Sequence, residues 1–291
     1  MEVFIAQLLN GLSLGSMYVL LVLGFNLMLL VAKIIQFAYP HLVVLSMYVC
    51  WGMLKYTSNV FLVILASIGS CIAINIATEP IFRLLAKRHG LDINVSFVVS
   101  MSMTLVITDI MSHLLNYGFP IAFPSKWIGK SVIGFGLITF SSGQAYALFG
   151  GIAAVLAFFY LLYRTRQGRV LRAISENSLL SSIIGIPTIK TRVISYAIAG
   201  LLGGLTAIML SKMLGSASPA LGDFVGMKII ATSIVAGLGN LKGGLVCGLL
   251  LGITESMAIG YLPGSWSNAI SFMMMLIVML IKPEGLFGIK A

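Results

Sequence analysis

A chain of 291 residues with 18 lysines and arginines against 8 aspartates and glutamates has a formal net charge of +10, yet charged residues make up only 9% of it and hydrophobic ones 59%. Soluble domains carry about 25% charged residues. Too little polar surface is available to cover an ordinary core, so the composition excludes a water-soluble fold and makes lipid the outer solvent.

A helix needs about 20 apolar residues to cross roughly 30 Å of hydrocarbon. The first uncharged run, Val3 to Ala32, follows Met1-Glu2 with no basic leader and no small-residue cleavage site, and reads as a retained spanning helix rather than a removed signal. Gln36-Phe37-Ala38-Tyr39-Pro40-His41 then places a proline and polar groups in otherwise apolar sequence. Ile34 to Leu54 and Tyr56 to Thr78 are further uncharged runs. Val95 to Tyr117 is apolar except for Asp109 and His113. The following segment, Gly118 to Gly143, placed outside by the span count, mixes Pro120, Pro124, Trp127, Lys126 and Lys130 and reads as a connection at the headgroup level with an interfacial tryptophan, the alternative being a docking platform for an external partner.

Gln144 to Tyr163 and Val193 to Ser211 are two more candidate spans. Phe224 to Ile281 is long enough for three, punctuated by Gly237-Leu238-Gly239-Asn240-Leu241-Lys242-Gly243-Gly244 and by Pro263-Gly264. The fold expected is an all-α integral membrane protein with eight or nine transmembrane helices, some broken by Gly or Pro or re-entrant, forming a single domain over 1–291. Cys50, Cys71 and Cys247 all lie in apolar stretches, so neither a disulfide framework nor a metal site is read from them.

The basic residues gather between the apolar runs, which ties the excess charge to orientation in a membrane rather than to nucleic acid. Between Arg164 and Arg192 stand six basic residues, Arg164, Arg166, Arg169, Arg172, Lys190 and Arg192, against Glu176 alone. The positive-inside rule makes this loop cytoplasmic, together with Lys33 and the stretch from Arg83 through Lys87 to Arg88. Counting spans puts the N-terminus outside and Lys282 and Lys290 inside. Within the loop, Gly168 to Pro187 reads as two short helices: Asn177 or Ser178 caps the second, and Gly185 with Pro187 stops it. Apolar Val170, Leu171, Ile174, Ile183 and Ile184 beside the arginines suit a partner protein fitted over the loop.

Small residues recur at every fourth position from Gly244 through Gly248, Gly252 and Ser256 to Gly260, the ridge that lets two helix backbones approach closely in lipid. Gly11 with Gly15 and Gly200 with Gly204 repeat it. The two interrupted segments have two readings. Irregular backbone at membrane depth borders a protein-lined or watery path, which makes Gln36, Tyr39, Pro40, His41, Gly237, Gly239, Asn240 and Gly243 candidates for a translocation route. Alternatively, each is a plain turn placed by Lys33 and Lys242. Asp109 and Glu255 are costly inside spans; structural hydrogen bonding is the favoured role for both, with His113 the one evident partner for Asp109. Lys212 and Lys228 are expected to snorkel from span ends.

Along nearly its whole length the order of features resembles the LivH-type permease subunits of branched-chain amino acid ABC importers. The resemblance rests on Leu8-Leu9-Asn10-Gly11-Leu12-Ser13-Leu14-Gly15-Ser16-Met17-Tyr18, on Gly168 to Ile186 with Arg172-Ala173, on Gly237-Leu238-Gly239-Asn240, Gly243-Gly244, Gly252 and Glu255, and on Lys282-Pro283-Glu284-Gly285-Leu286-Phe287-Gly288. It implies a permease in a bacterial cytoplasmic membrane, paired with a second, LivM-like permease subunit, two cytoplasmic ATPase subunits and an external solute-binding protein. It also implies an ATPase-coupling loop carrying Gly168, Arg169, Arg172, Ala173, Glu176, Gly185 and Ile186. The chain departs from the family at Gln36 to His41, where Asn-Phe-Ala-His-Gly-Glu is usual, and at Asn177, where aspartate is common. No phosphate loop, His-Glu-x-x-His set or credible Ser-His-Asp set is present, so the chain reads as no enzyme, with no cofactor of its own and ATP and Mg held by the ATPases. Three other readings stay open: a proton-coupled carrier using Asp109, His113 and Glu255, a passive channel for urea or a small amide, and a purely structural membrane subunit.

Overall fold

In lipid a backbone must hydrogen-bond to itself, and the chain meets that demand with helices over nearly all its apolar length. The structure, a computed structural model, describes residues 2–89, 93–114, 118–128, 132–135, 138–261, 266–282 and 285–288. Expectations at Tyr117, Lys130, Pro263-Gly264, Pro283-Glu284 and Lys290, and for the Lys87 side chain, lie outside what is described. The helices are α1 (Glu2–Ala32), α2 (Tyr39–Tyr56), α3 (Val60–His89), α4 (Ile93–Leu114), α5 (Ser125–Ile128), α6 (Ser142–Arg164), α7 (Arg166–Glu176), α8 (Ser178–Ile183), α9 (Thr188–Leu214), α10 (Leu221–Ala236), α11 (Leu241–Tyr261) and α12 (Trp266–Ile281).

Six of these, α1, α3, α4, α6, α9 and α11, are long and apolar enough to cross a membrane. The expected eight or nine crossings are not established, because α2, α10 and α12 have only 18, 16 and 16 residues and fall outside that set. Helix α1 is the axle of the bundle. Most of it is buried, whereas α3, α4 and α6 leave most of their apolar length open. Its central residues Met17, Leu20, Leu21, Leu23, Phe25 and Leu27 are all but inaccessible.

Small residues set how closely α1 meets α11. A Cβ at Gly252 would collide with the Gly15 backbone, one at Gly11 would lie 2.7 Å from the Ile253 Cα, and one at Gly248 would lie 2.8 Å from Val19. Gly244 faces Val22, and the Ser256 hydroxyl donates to the Gln7 carbonyl at 2.7 Å. Gly200 and Gly204 of α9 lie against Ile72 and Ile68 of α3 in the same way. Cys50, Cys71 and Cys247 are free thiols buried among these helices.

The body is all-α, but the segment after α4 adds two small ribbons. Strand β1 (Ile121–Ala122) pairs antiparallel with β4 (Ser216–Ala217), and β2 (Val132–Phe135) pairs with β3 (Ile138–Ser141). Trp127 is not interfacial as its sequence context suggests. It is 4% exposed, and its indole N–H donates to the Ser211 hydroxyl at 2.9 Å. Lys212, in the last turn of α9 and partly exposed, donates from its ammonium to the Trp127 carbonyl at 3.0 Å and lies 4.2 Å from the centre of that ring. The indole needs a buried acceptor once its ring is desolvated, and α9 supplies it.

Substituting Gly252→Val is expected to overpack the α1–α11 seam and destabilise the protein by about 1–3 kcal/mol or more. Gly52→Ala, inside α2 where an added Cβ meets nothing within 4 Å, is expected to hold or slightly raise the stability, by about 0.5–1 kcal/mol at most. Thermal unfolding of both variants in one detergent tests the contrast.

Candidate functional site

The segment after α1 turns back into the bundle. Lys33 ends the helix in a left-handed conformation, φ 58°, and its ammonium donates to the Ser175 carbonyl of α7 at 3.0 Å. The chain then runs to Tyr39, whose hydroxyl donates to the Ala199 carbonyl at 2.9 Å and packs on Gly24. Gly24 lies eight residues before the end of α1, which at 1.5 Å per residue places the phenol tip about 12 Å inside that end. Irregular backbone at this depth has its amides met by protein. Phe37 and Ala38 N–H groups both donate to the Ser100 hydroxyl, at 2.5 and 3.3 Å. The Gln36 amide donates to Thr78 at 3.0 Å and to Asn75 at 3.5 Å.

Proline stands in the first turn of α2, where a missing N–H costs least. That start meets the start of α10. Gly226 lies under Pro40 and Gly222 under the His41 ring. His41 Nε2 is 3.1 Å from the Asp223 carboxylate, with the imidazole 4% and the carboxylate 58% exposed. Beside this pair lies a cavity of about 330 Å³, lined with Phe37, Met101, Thr104, Met227 and Ile230 among others.

The other interrupted segment is a tight turn between α10 and α11. Gly237 and Gly239 have φ of 89° and 82°, which side chains disfavour. Asn240 caps α11 by accepting from the Gly243 N–H at 2.9 Å, and its amide donates to the Phe287 carbonyl at 2.8 Å. Asn26 of α1 accepts from the Gly239 N–H at 3.3 Å and from the Ser233 hydroxyl. The turn borders a second cavity of about 730 Å³, lined with Leu30, Tyr163, Arg172, Glu176, Lys242 and Phe287. Gln36, Tyr39, Pro40 and His41 therefore sit inside the bundle, while Gly237, Gly239, Asn240 and Gly243 sit beside α7.

The two short helices of the basic loop fall where capping chemistry puts them. Thr165 accepts from the Gly168 N–H at 3.1 Å to start α7, and Asn177 accepts from Leu179 and Leu180 at 3.1 and 3.0 Å to start α8. A Cβ at Gly168 would strike the Leu161 and Leu162 carbonyls. Leu171 and Ile174 are buried, Arg169 and Glu176 exposed, and Ala173 half-buried. The Arg172 guanidinium lies 5.1 Å from the Tyr163 ring centre. Gly185, φ 87°, ends the unit, and the Ile186 N–H donates back to Ser181 at 3.0 Å. Helix α8 leaves Leu179, Leu180, Ile183 and Ile184 between 53% and 79% exposed.

Two buried charge clusters escaped the sequence. Lys228, expected to snorkel, is 8% exposed; its ammonium lies 2.5 Å from one Glu255 oxygen, and the Tyr18 hydroxyl donates to the other at 2.8 Å. The signal was its position: Lys228 is half-way along α10, not at an end. Glu79, inaccessible on α3, lies 3.6 Å from Arg83 and 3.8 Å from Arg192 of α9; the four-residue spacing to Arg83 was its signal. Asp109 pairs with His113 at 3.1 Å on the open face of α4, both side chains about three-quarters exposed. Asp109 and Glu255 thus face in different directions and do not form a relay.

The family described as "Branched-chain amino acid transport system / permease component" matches residues 7–279. The chain is 24% identical to the high-affinity branched-chain amino acid transport system permease protein LivH of Escherichia coli K12, over 98% of this chain and 96% of that one. It is 28% identical to the probable branched-chain amino acid transport permease protein LivH of Methanocaldococcus jannaschii, over 94% and 90%. A solved structure described as PsaBC from Streptococcus pneumoniae in complex with Fab has 14% identity and a TM-score of 0.48, covering 97% of this chain and 91% of that chain.

Breaking a buried ion pair by removing one partner costs about 3–5 kcal/mol, because the remaining charge is stranded, whereas removing both is far milder. Lys228→Met is therefore expected to lower the unfolding temperature strongly, and Lys228→Met with Glu255→Gln to recover most of the loss. A thermal-shift comparison of the single and double variants checks the sign of that coupling.

Proposed function

The chain belongs to the permease-component family of branched-chain amino acid transport systems, and from that premise we propose that it is the transmembrane subunit of an ATP-driven importer for branched-chain or related amino acids. The observation that carries the ATP-driven part is α8. Leu179, Leu180 and Ile183 on this six-residue helix, and Ile184 at its C-cap, stand open beside the arginines of α7. An exposed apolar patch rimmed by charge marks a protein-binding surface. The partner proposed is an ATPase subunit, one of two, which binds ATP and Mg; a second permease subunit and an external binding protein complete the complex. In this reading the protein sits in a bacterial inner membrane with α7 and α8 in the cytoplasm, the N-terminus outside and the C-terminus inside.

The geometry supplies a mechanical route for the coupling. Helix α7 rests on α6, α1 and α9 through buried Leu171 and Ile174. Lys33 ties α7 to the residue where α1 gives way to the re-entering segment, and that segment leads through Tyr39, set against α1 and α9, to Pro40 and His41 against α10. An ATPase that grips α8 and shifts α7 thereby moves the start of α2 relative to α10, and two packings of that contact would serve as the open and closed states of an alternating-access cycle. The proton-coupled reading loses its support, since Asp109, His113 and Glu255 do not converge. An Asp–His pair left open on a membrane-facing helix is best covered by protein, which suits a second permease subunit.

Reconstituted with its second permease subunit, ATPase and binding protein in vesicles, the chain is expected to take up leucine only with ATP, to stop with vanadate and to be indifferent to a proton ionophore. Ile183→Asp with Ile184→Asp, at positions 72% and 79% exposed, is expected to preserve the fold and cut uptake at least about tenfold. Full uptake by the double variant, or uptake without ATP, rejects the reading.

A further inference from the structure

We propose that the cavity along α10, closed by His41 at the start of α2 and by Met101 and Thr104 of α4 and Phe272 of α12, is the binding site of the permeating solute, with Asp223 receiving its ammonium group and Ile230 and Met227 gauging its side chain. The inference rests on the amino-acid import reading above and adds where the solute is held and which residues select it. At about 330 Å³ the cavity is at the small end of the range for ligand sites. Its walls are dominated by Phe37, Met101, Met227, Ile230 and Ile234, which offer no hydrogen bonds to a polar solute. Its polar groups are gathered rather than scattered: Asp223 and His41 form one pair, with Thr104 also on the wall.

That asymmetry matches a small molecule with one charged end and one branched apolar end. Among the described residues of the lining Asp223 carries the one carboxylate, and more than half of it is open although His41 holds it from the other side. A carboxylate beside an apolar pocket attracts an ammonium group more strongly than it would in bulk water, because the surroundings screen it less. The solute's own carboxylate then falls near the His41 imidazole and the positive ends of the α2 and α10 dipoles, which both begin at this point. The aliphatic side chain lies along the methionines and Ile230. A neutral amide such as urea gains nothing from such a wall, and a lipid tail gains nothing from Asp223.

The site also lies where motion is transmitted. Pro40 rests on Gly226 and the His41 ring on Gly222, so any shift of α2 along α10 reshapes the cavity itself. A solute bound there is released when the two helix starts separate, with no additional gate required.

The test uses the assembled complex in detergent and in vesicles. Met227, 57% exposed, is replaced by cysteine, the natural thiols Cys50, Cys71 and Cys247 being buried, and its maleimide labelling is timed. Leucine is expected to slow labelling severalfold, the amine-free analogue 4-methyl-2-oxopentanoate to have little effect, and Asp223→Asn to abolish the protection by leucine. Ile230→Ala is expected to shift protection from leucine toward phenylalanine by about tenfold in their ratio. If the complex imports leucine with ATP but labelling is absent, indifferent to leucine, or slowed equally by the amine-free analogue, the cavity assignment is overturned while the import reading stands. If the complex imports no branched-chain amino acid, the import reading fails first and takes this one with it.

Discussion

Everything in this bundle depends on how closely α1 and α11 approach each other. In a bilayer no water is released when two apolar helices meet, so the contact must gain its energy from packing of backbone against backbone. Gly252 against Gly15, Gly248 against Val19 and Gly11 against Ile253 make that possible. Once the pair is formed, α11 fixes the depth of Glu255, and Glu255 with Tyr18 and Lys228 fixes α10 against both. The buried ion pair is weak evidence of stability in itself. Its contribution is register: three helices that could slide past one another in an apolar medium share one set of polar contacts. The start of α10, and with it the wall of the proposed solute cavity, inherits its position from that set.

Much of this was legible in the sequence, and the parts that were follow from local rules. The glycine spacing from Gly244 announced a close-packed ridge because one helix face is enough to see it. The cap at Asn177 and the stop at Gly185 bounded α8 because both act within a few residues. The apolar runs located the long helices for the same reason. What stayed hidden depended on long-range geometry. Lys228 and Glu255 lie 27 residues apart and meet only because α10 and α11 fold back on each other about Gly237 and Gly239. Trp127 looked interfacial until Ser211, 84 residues further on, offered its hydroxyl. Glu79 escaped notice because its second arginine, Arg192, arrives from α9.

The two interrupted segments show why the same sequence signal carries two meanings. Both combine a helix breaker with polar side chains. Gly237 to Gly243 makes a compact reversal whose amides are met by Asn26, Asn240 and the chain near Phe287, and it stays beside α7. Gln36 to His41 instead uses side chains from two other helices, Ser100 of α4 and Thr78 and Asn75 of α3, and a carbonyl of α9. Glycine allows a chain to turn in place, whereas proline in the first turn of α2 gives up only an N–H that no intrahelical carbonyl would accept, so the helix can begin inside the bundle while other helices meet the amides before it. That difference in backbone demand separates a surface corner from a segment that penetrates.

The strand pair β1–β4, together with the contact of Lys212 and Ser211 to Trp127, stitches the loop after α4 to the end of α9. The starts of α2 and α10 are joined differently: among the described residues no strand pairing links them, and the His41–Asp223 pair is seated where Pro40 rests on Gly226 and the His41 ring on Gly222. One end of α9 is thus held by strand pairing, while the α2–α10 contact is held by one side-chain pair over glycines. Under the ATP-driven reading proposed above, the paired seam serves as the fulcrum and the glycine contact as the part that gives, so the helices splay like the ribs of a folding fan rather than sliding as parallel rods.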